Sequence, residues 1–177
     1  MNYFYYIILF LFIIFSILYI ISILNNIIYW VPQVSTFTKD LPILKKVFDK
    51  YLIKWKKIVD LWSWIWKMLR IFEKDYKMQS TWFEIDLSNI IIAKIINKIF
   101  WYKNIVKKQN YFNADLKEFD FIYLYLFPKL MERLEEKIWK QAKPWTILIV
   151  NAFAFKNKKP IEVIQKNWKS KIYVYKI

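Results

Sequence analysis

A chain without glycine has no residue that takes a positive φ at no steric cost, and this sequence of 177 residues has none. Average usage near 7% would supply about 12. Compact folds with many turns rarely do without them. The sequence carries 10 tryptophans instead, far above ordinary usage. They stand where turns would want glycine. Trp145 follows Lys143-Pro144, where Pro-Gly would mark a turn. Trp168 follows Asn167, as glycine does in the favoured two-residue hairpin turn. Trp55 lies in Ile53-Lys54-Trp55-Lys56-Lys57, just ahead of an apolar strand, and Trp62, Trp64 and Trp66 alternate directly behind that strand. We read these positions as UGA codons of a genetic code in which UGA means glycine, written here as tryptophan. The competing reading is a genuinely Gly-free protein with aromatic core positions. The turn contexts agree on glycine at several independent places.

The stretch Lys57 to Arg70 carries the most chemistry. Taken with glycine at the three alternate tryptophans, it reads V-D-L-G-S-G-I-G-K-M-L. Such a loop turns sharply and lets a cofactor approach the backbone closely, and both need glycine. Three indole rings would fill the same space. An acidic residue and a G-x-G-x-G loop after the first strand resemble the first motif of class I S-adenosylmethionine (SAM)-dependent methyltransferases. The resemblance implies SAM as cofactor, with Asp60 near its methionine end, ordering the loop of Trp62, Ser63, Trp64 and Trp66. Glu84, 22 residues after Trp62, ends the second strand in Ser80-Thr81-Trp82-Phe83-Glu84. A carboxylate fixed there accepts hydrogen bonds from two ribose hydroxyls. Gln109-Asn110-Tyr111-Phe112 resembles the G-D-F-F of relatives, which implies that Asn110 meets the adenine amino group and Tyr111 packs on the purine. Asn110 departs from that pattern by lacking the charge.

Bulk properties narrow the classes further. Lysine and arginine outnumber acids 29 to 14, a net charge of +15. The lysines are scattered rather than blocked, which fits a Lys-, Asn- and Ile-rich coding background better than a nucleic-acid surface. Cysteine and histidine are absent, so disulfides, thiol catalysis, His-based metal sites and Ser-His-Asp triads are excluded, and no metal is expected.

In chain order, Tyr3 to Leu24 is uncharged and about 33 Å long as a helix, enough to span a bilayer core. It lacks the basic start and small-residue cleavage site of a signal peptide, so it reads as a retained anchor. Lysines begin only at Lys39, which keeps the rest cytoplasmic by the positive-inside rule. The expected division is an anchor over 1–25, a linker over 26–39 and one domain over 40–177. Asp40 before Leu41-Pro42 suits a helix N-cap. Leu41, Leu44, Val47, Phe48, Tyr51 and Leu52 then recur at helical spacing. That helix should bring the linker across the cofactor cleft. Beyond it, strands are expected at 58–61, 80–85, 104–107, 120–125 and 146–151. Helices are expected at 67–74, 88–100 and 129–142, and a hairpin closes the chain around Asn167-Trp168. Alternating βα units ending in a hairpin give a mixed, mostly parallel α/β sheet with helices on both faces. The seven-stranded Rossmann-like methyltransferase sheet has this plan.

Two blocks narrow the resemblance. Phe121-Ile-Tyr-Leu-Tyr-Leu-Phe-Pro128 and Lys143-Pro-Trp-Thr-Ile-Leu-Ile-Val-Asn-Ala-Phe153, together with the anchor, resemble the small membrane-anchored methyltransferases related to the ATP synthase c-subunit lysine N-methyltransferase. The resemblance implies a protein acceptor, with lysine favoured and a membrane protein within reach. Tyr125 and the Leu126-Phe127-Pro128 backbone would form the acceptor wall, and no residue stands out as a general base. A small-molecule or lipid methyltransferase shares the same fold and motifs. A non-enzymatic basic membrane protein that recruits RNA or ribosomes is the alternative from another class.

Overall fold

The computed structural model describes residues 3–28, 36, 38–63, 67–168 and 170–177. Most of the expected linker and two of the alternate tryptophans, Trp64 and Trp66, therefore lie outside the described residues. Helix α1, Tyr3–Ile28, runs four residues past the expected end at Leu24. It is apolar and long enough to cross a membrane, and that segment is not buried in the protein. It lies beside α4.

A 3-10 turn, Thr38–Asp40, leads into α2, Leu41–Tyr51, whose apolar stripe buries Leu44, Val47 and Phe48. The alternation then follows: β1, Lys57–Asp60; α3, Lys67–Lys74; β2, Gln79–Glu84; α4, Leu87–Ile99; β3, Ile105–Lys108. After a 3-10 turn at Tyr111–Asn113 come β4, Phe121–Leu124; α5, Pro128–Gln141; β5, Ile147–Asn151; β6, Glu162–Asn167; and β7, Ser170–Lys176. Each expected element of the domain is present, with its ends within two residues of expectation.

The seven strands order as β3-β2-β1-β4-β5-β7-β6. The first five in that row run parallel, and β7 is antiparallel to both β5 and β6. Chain order reverses between β1 and β4, so a crevice opens there at the carboxyl ends of the strands. β4 is buried at all four residues, as a central parallel strand must be. One face packs Leu44, Phe48 and Phe72 of α2 and α3 on Ile58, Tyr123, Ile149 and Val174. The other packs Met131, Leu134 and Ile138 of α5 on Val59, Ile122, Leu124, Leu148 and Val150. Burying each such side chain stabilises the fold by about 1.5–3 kcal/mol.

Backbone conformation singles out the tryptophans. Among the described residues five have positive φ, and three are Trp55 (67°), Trp101 (58°) and Trp145 (74°). That conformation costs an L-residue with a Cβ roughly 1–2 kcal/mol. Trp145 holds the third position of a turn in which the Thr146 N–H donates to the Lys143 carbonyl (3.2 Å) behind Pro144. With positive φ, this is a type II turn, whose third residue is normally glycine. Trp101 sits just past α4, and the Tyr102 N–H donates back to the Asn97 carbonyl (2.9 Å). That bond is the Schellman motif, which places glycine at the Trp101 position. At the hairpin, Asn167 pairs with Ser170, so Asn167 is the last residue of β6 and Trp168 opens the turn. The expected Asn-Trp turn is thus corrected by one residue. Trp82 and Trp139 differ from these three: the first is buried on β2, and the second packs edge-on against Phe155 and Tyr175.

Candidate functional site

The crevice between β1 and β4 is floored by the last residue of β1. Asp60 is fully buried because it follows two core residues on a central strand. Its Oδ1 accepts the Trp62 N–H at 2.9 Å, while its Oδ2 has no hydrogen-bond partner among the described residues. The buried Ser63 Oγ has none either. Removal from water pushes the Asp60 carboxyl up to about 7, against the opposing pull of the Trp62 N–H and the nearby Ser63 hydroxyl. That hydroxyl lies close enough to favour the ionised form without reaching hydrogen-bond geometry. Buried polar atoms in native proteins nearly always have partners, so two unmatched ones side by side mark a place for a donor from outside the chain. A primary ammonium fits: it donates to both oxygens and offsets the charge.

Glu84, the residue expected to meet the ribose, ends β2 next to β1. Its Oε1 accepts the N–H groups of Ile85 (2.7 Å) and Asp86 (2.9 Å), and its Oε2 accepts from Asn89 Nδ2 (3.2 Å). Burial raises its pKa, while those backbone and amide donors oppose the rise. The carboxylate is thus fixed in place by the start of α4, with lone pairs left on Oε2.

At the end of β3, Asn110 Oδ1 accepts the Phe112 N–H at 2.9 Å and caps the 3-10 turn. Tyr111 is half-buried and meets the Trp62 ring edge-on, with ring centres 5.9 Å apart. The Trp62 indole therefore lies against the residue expected to pack on a purine. Trp64 and Trp66 of the expected loop lie outside the described residues.

At the end of β4 the four residues of the expected acceptor wall separate. Leu126 turns into the core on the α5 side. Phe127 caps α5, Pro128 is that helix's first residue, and the Phe127 ring stacks on Phe153 at 6.4 Å. Tyr125 stays partly exposed, with the Lys166 ammonium 5.5 Å from its ring centre.

Lys166 is one of several residues that the sequence reading missed. Its ammonium is buried, paired with Asp40 Oδ2 at 3.1 Å and donating to Asn151 Oδ1 at 2.8 Å. Asn151 donates to the Tyr123 hydroxyl (3.2 Å), which also meets Thr36 Oγ1 (3.1 Å). Asp40 occupies the expected N-cap position of α2, but its side chain makes no cap bond and turns to Lys166 instead. Strand alternation was the available signal. Lys166 is two residues from Ile164 and shares its inward face, where a lone lysine requires a buried anion.

Against known proteins, no family model matches this chain, and no curated protein matches it. Solved structures do match in shape. An RNA methyltransferase from Salinibacter ruber, in complex with S-adenosyl-L-homocysteine, superposes with a TM-score of 0.73 at 18% identity, over 81% of this chain and 94% of that one. A point mutant of MtNAS, in complex with S-adenosylmethionine, gives a TM-score of 0.63 at 13% identity over 78% of this chain, which spans 62% of that one. A methylase from Haemophilus influenzae gives 0.60 at 12% identity, over 78% and 98%. At these identities the likeness concerns architecture. The chain has the class I methyltransferase fold: seven strands, mostly parallel, with an antiparallel β7 and helices on both faces.

Proposed function

We propose that this chain is a membrane-anchored SAM-dependent methyltransferase that transfers a methyl group to a protein acceptor, lysine by preference. The observation that carries this reading is the unmatched pair Asp60 Oδ2 and Ser63 Oγ, buried at the end of β1 where chain order reverses. Asp60 and Ser63 would hold the ammonium of the cofactor's methionine. Glu84 Oε2 would accept from a ribose hydroxyl, and Tyr111 would pack on the purine beside Asn110. Bound SAM supplies an electrophilic methyl group on a sulfonium. The protein's part is to place a neutral amine in line with it. Tyr125, Phe127 and Phe153 surround the acceptor side with aromatic faces, which attract an amine's cationic form and exclude water once the amine is aligned. The structures solved with S-adenosylmethionine and S-adenosyl-L-homocysteine support the choice of cofactor. An RNA acceptor is the second reading, favoured by the likeness in shape to an RNA methyltransferase.

The working form of the chain carries glycine at the tryptophans of its turns and cofactor loop. Trp55, Trp101 and Trp145 support this by their left-handed backbone, and Trp62 by lying against Tyr111 where a cofactor would need room. Helix α1 holds the domain at the cytoplasmic face of a membrane.

One experiment addresses both claims. The chain is made with tryptophan and with glycine at every tryptophan except the packed Trp82 and Trp139, and each is given SAM carrying a labelled methyl group together with membranes. The glycine form should bind SAM and label membrane protein, and the tryptophan form should do neither. Label confined to RNA, lipid or soluble small molecules would replace the acceptor. Equal binding by both forms would remove the recoding claim, as would UGG at these codons.

A further inference from the structure

Thr36, Thr38 and Asp40 connect the N-terminal helix to the domain, and each is bound to a different part of the crevice. Asp40 pairs with the buried ammonium of Lys166 on β6. Both side chains are nearly inaccessible, at 7% and 3% exposure, so this pair was withdrawn from water at considerable cost and is not a surface ornament. From Lys166 the hydrogen bonds run in one direction. The ammonium donates to Asn151 Oδ1, which turns the Asn151 amide N–H toward the Tyr123 oxygen. Tyr123 is then an acceptor there, and its hydroxyl also shares a hydrogen bond with Thr36 Oγ1, in which either oxygen can donate. Burial raises the pKa of Tyr123 against the opposing pull of the Thr36 and Asn151 hydrogen bonds, so it stays a neutral phenol. On the other side, Lys67 donates to the Thr36 carbonyl (3.2 Å) and to Thr38 Oγ1 (2.8 Å). Lys67 is the first residue of α3, directly behind the expected cofactor loop.

We propose that Thr36, Thr38 and Asp40 form a strap along the acceptor side of the cofactor crevice, and that Lys166, Tyr123 and Lys67 are positioning residues that couple this strap to cofactor binding. The strap is fixed at one end to the helix that follows the cofactor loop and at the other to the strands bordering the acceptor. Thr36, its first residue, also touches the tyrosine beside Asp60. Tightening any of these contacts restrains the others. A cofactor bound at Asp60 therefore holds the strap, and a held strap raises cofactor affinity by the same factor. This proposal rests on the cofactor reading above.

The test uses the full chain in detergent micelles, in whichever form, tryptophan or glycine, binds S-adenosylhomocysteine. Trypsin cleavage after the exposed Lys39 reports strap release, and cleavage after Lys103, in the loop before β3, is the internal control. S-adenosylhomocysteine should slow cleavage at Lys39 and leave Lys103 unchanged. Thr36→Val removes one hydroxyl and keeps the fold. It should speed ligand-free cleavage at Lys39 and raise the dissociation constant for S-adenosylhomocysteine about 3- to 10-fold, the effect of one hydrogen bond. The double variant Asp40→Leu with Lys166→Met exchanges the ion pair for apolar volume, which buried sites tolerate. It should show the same two effects, with a melting temperature close to that of the parent. A strap that is only structural would shift melting without moving the dissociation constant. Parent and variants binding S-adenosylhomocysteine equally would overturn the coupling and leave the cofactor reading standing. If neither form of the parent binds it, the cofactor reading fails and the coupling falls with it, while ligand-free cleavage still reports whether the strap is held.

Discussion

At the scale of single residues, Asp60 makes the sharpest demand. Its carboxyl is pushed up to about 7 from an ordinary 3.8. The unfolded chain releases this proton near the ordinary value, whereas the folded chain keeps it until about pH 7. The folded state is therefore favoured by this group at low pH, and that advantage is lost as pH rises between the two values. An ammonium beside Oδ2 wants the ionised form, so binding should release a proton below pH 7. Affinity for S-adenosylhomocysteine should rise from about pH 5 to about pH 7 and then level off. Calorimetry in two buffers of different ionisation enthalpy should detect the released proton, and Asp60→Asn should abolish the slope. Glu84→Gln tests the ribose contact. It keeps the backbone N–H acceptor and removes the charge, and it should weaken cofactor binding by about 1.5–3 kcal/mol with little change in melting temperature. An unchanged dissociation constant would sink that role. Both acids were legible in the sequence because each ends a strand and stands at a fixed distance from the loop. The Asp40–Lys166 pair was not, since it joins residues more than a hundred positions apart and only the folded sheet brings them together.

At the scale of elements, apolar periodicity found every helix and strand, because each buries one stripe or one face against the sheet. Its errors lie at the ends, where capping decides. The hairpin turn moved by one residue because pairing of Asn167 with Ser170 sets the loop, and the Asn-Trp dipeptide does not. The turns also make a prediction independent of any codon. Trp55→Gly, Trp101→Gly and Trp145→Gly each relieve a left-handed residue with a Cβ, and each should stabilise the chain by about 1 kcal/mol, read as a higher melting temperature. Trp139→Gly should do the opposite. It removes a ring that packs on Phe155 and Tyr175 and places glycine inside α5, which alone costs about 1 kcal/mol. Four substitutions of one kind would thus split by sign according to backbone, a pattern that chemistry of the side chain alone would not produce.

At the scale of the whole molecule, α1 stands outside both cores. A chain lacking residues 1–28 should fold, stay soluble after high-speed centrifugation, and bind S-adenosylhomocysteine about as well as the full chain, while the full chain should sediment with membranes and resist alkaline extraction. Solubility of the full chain without detergent would count against the anchor. The bound position of Thr36 sets a geometric limit as well. Eight peptide units separate Ile28 from Thr36, and at full stretch they cover at most about 29 Å. With α1 in a bilayer, the mouth of the crevice cannot wander farther than that from the helix end. Under the proposed function the search for an acceptor would be nearly two-dimensional: amines in a thin layer over the lipid headgroups would be met at a raised effective concentration, and identical soluble amines only at their bulk concentration. Selectivity of this kind needs no recognition sequence, because the length of a tether does the choosing.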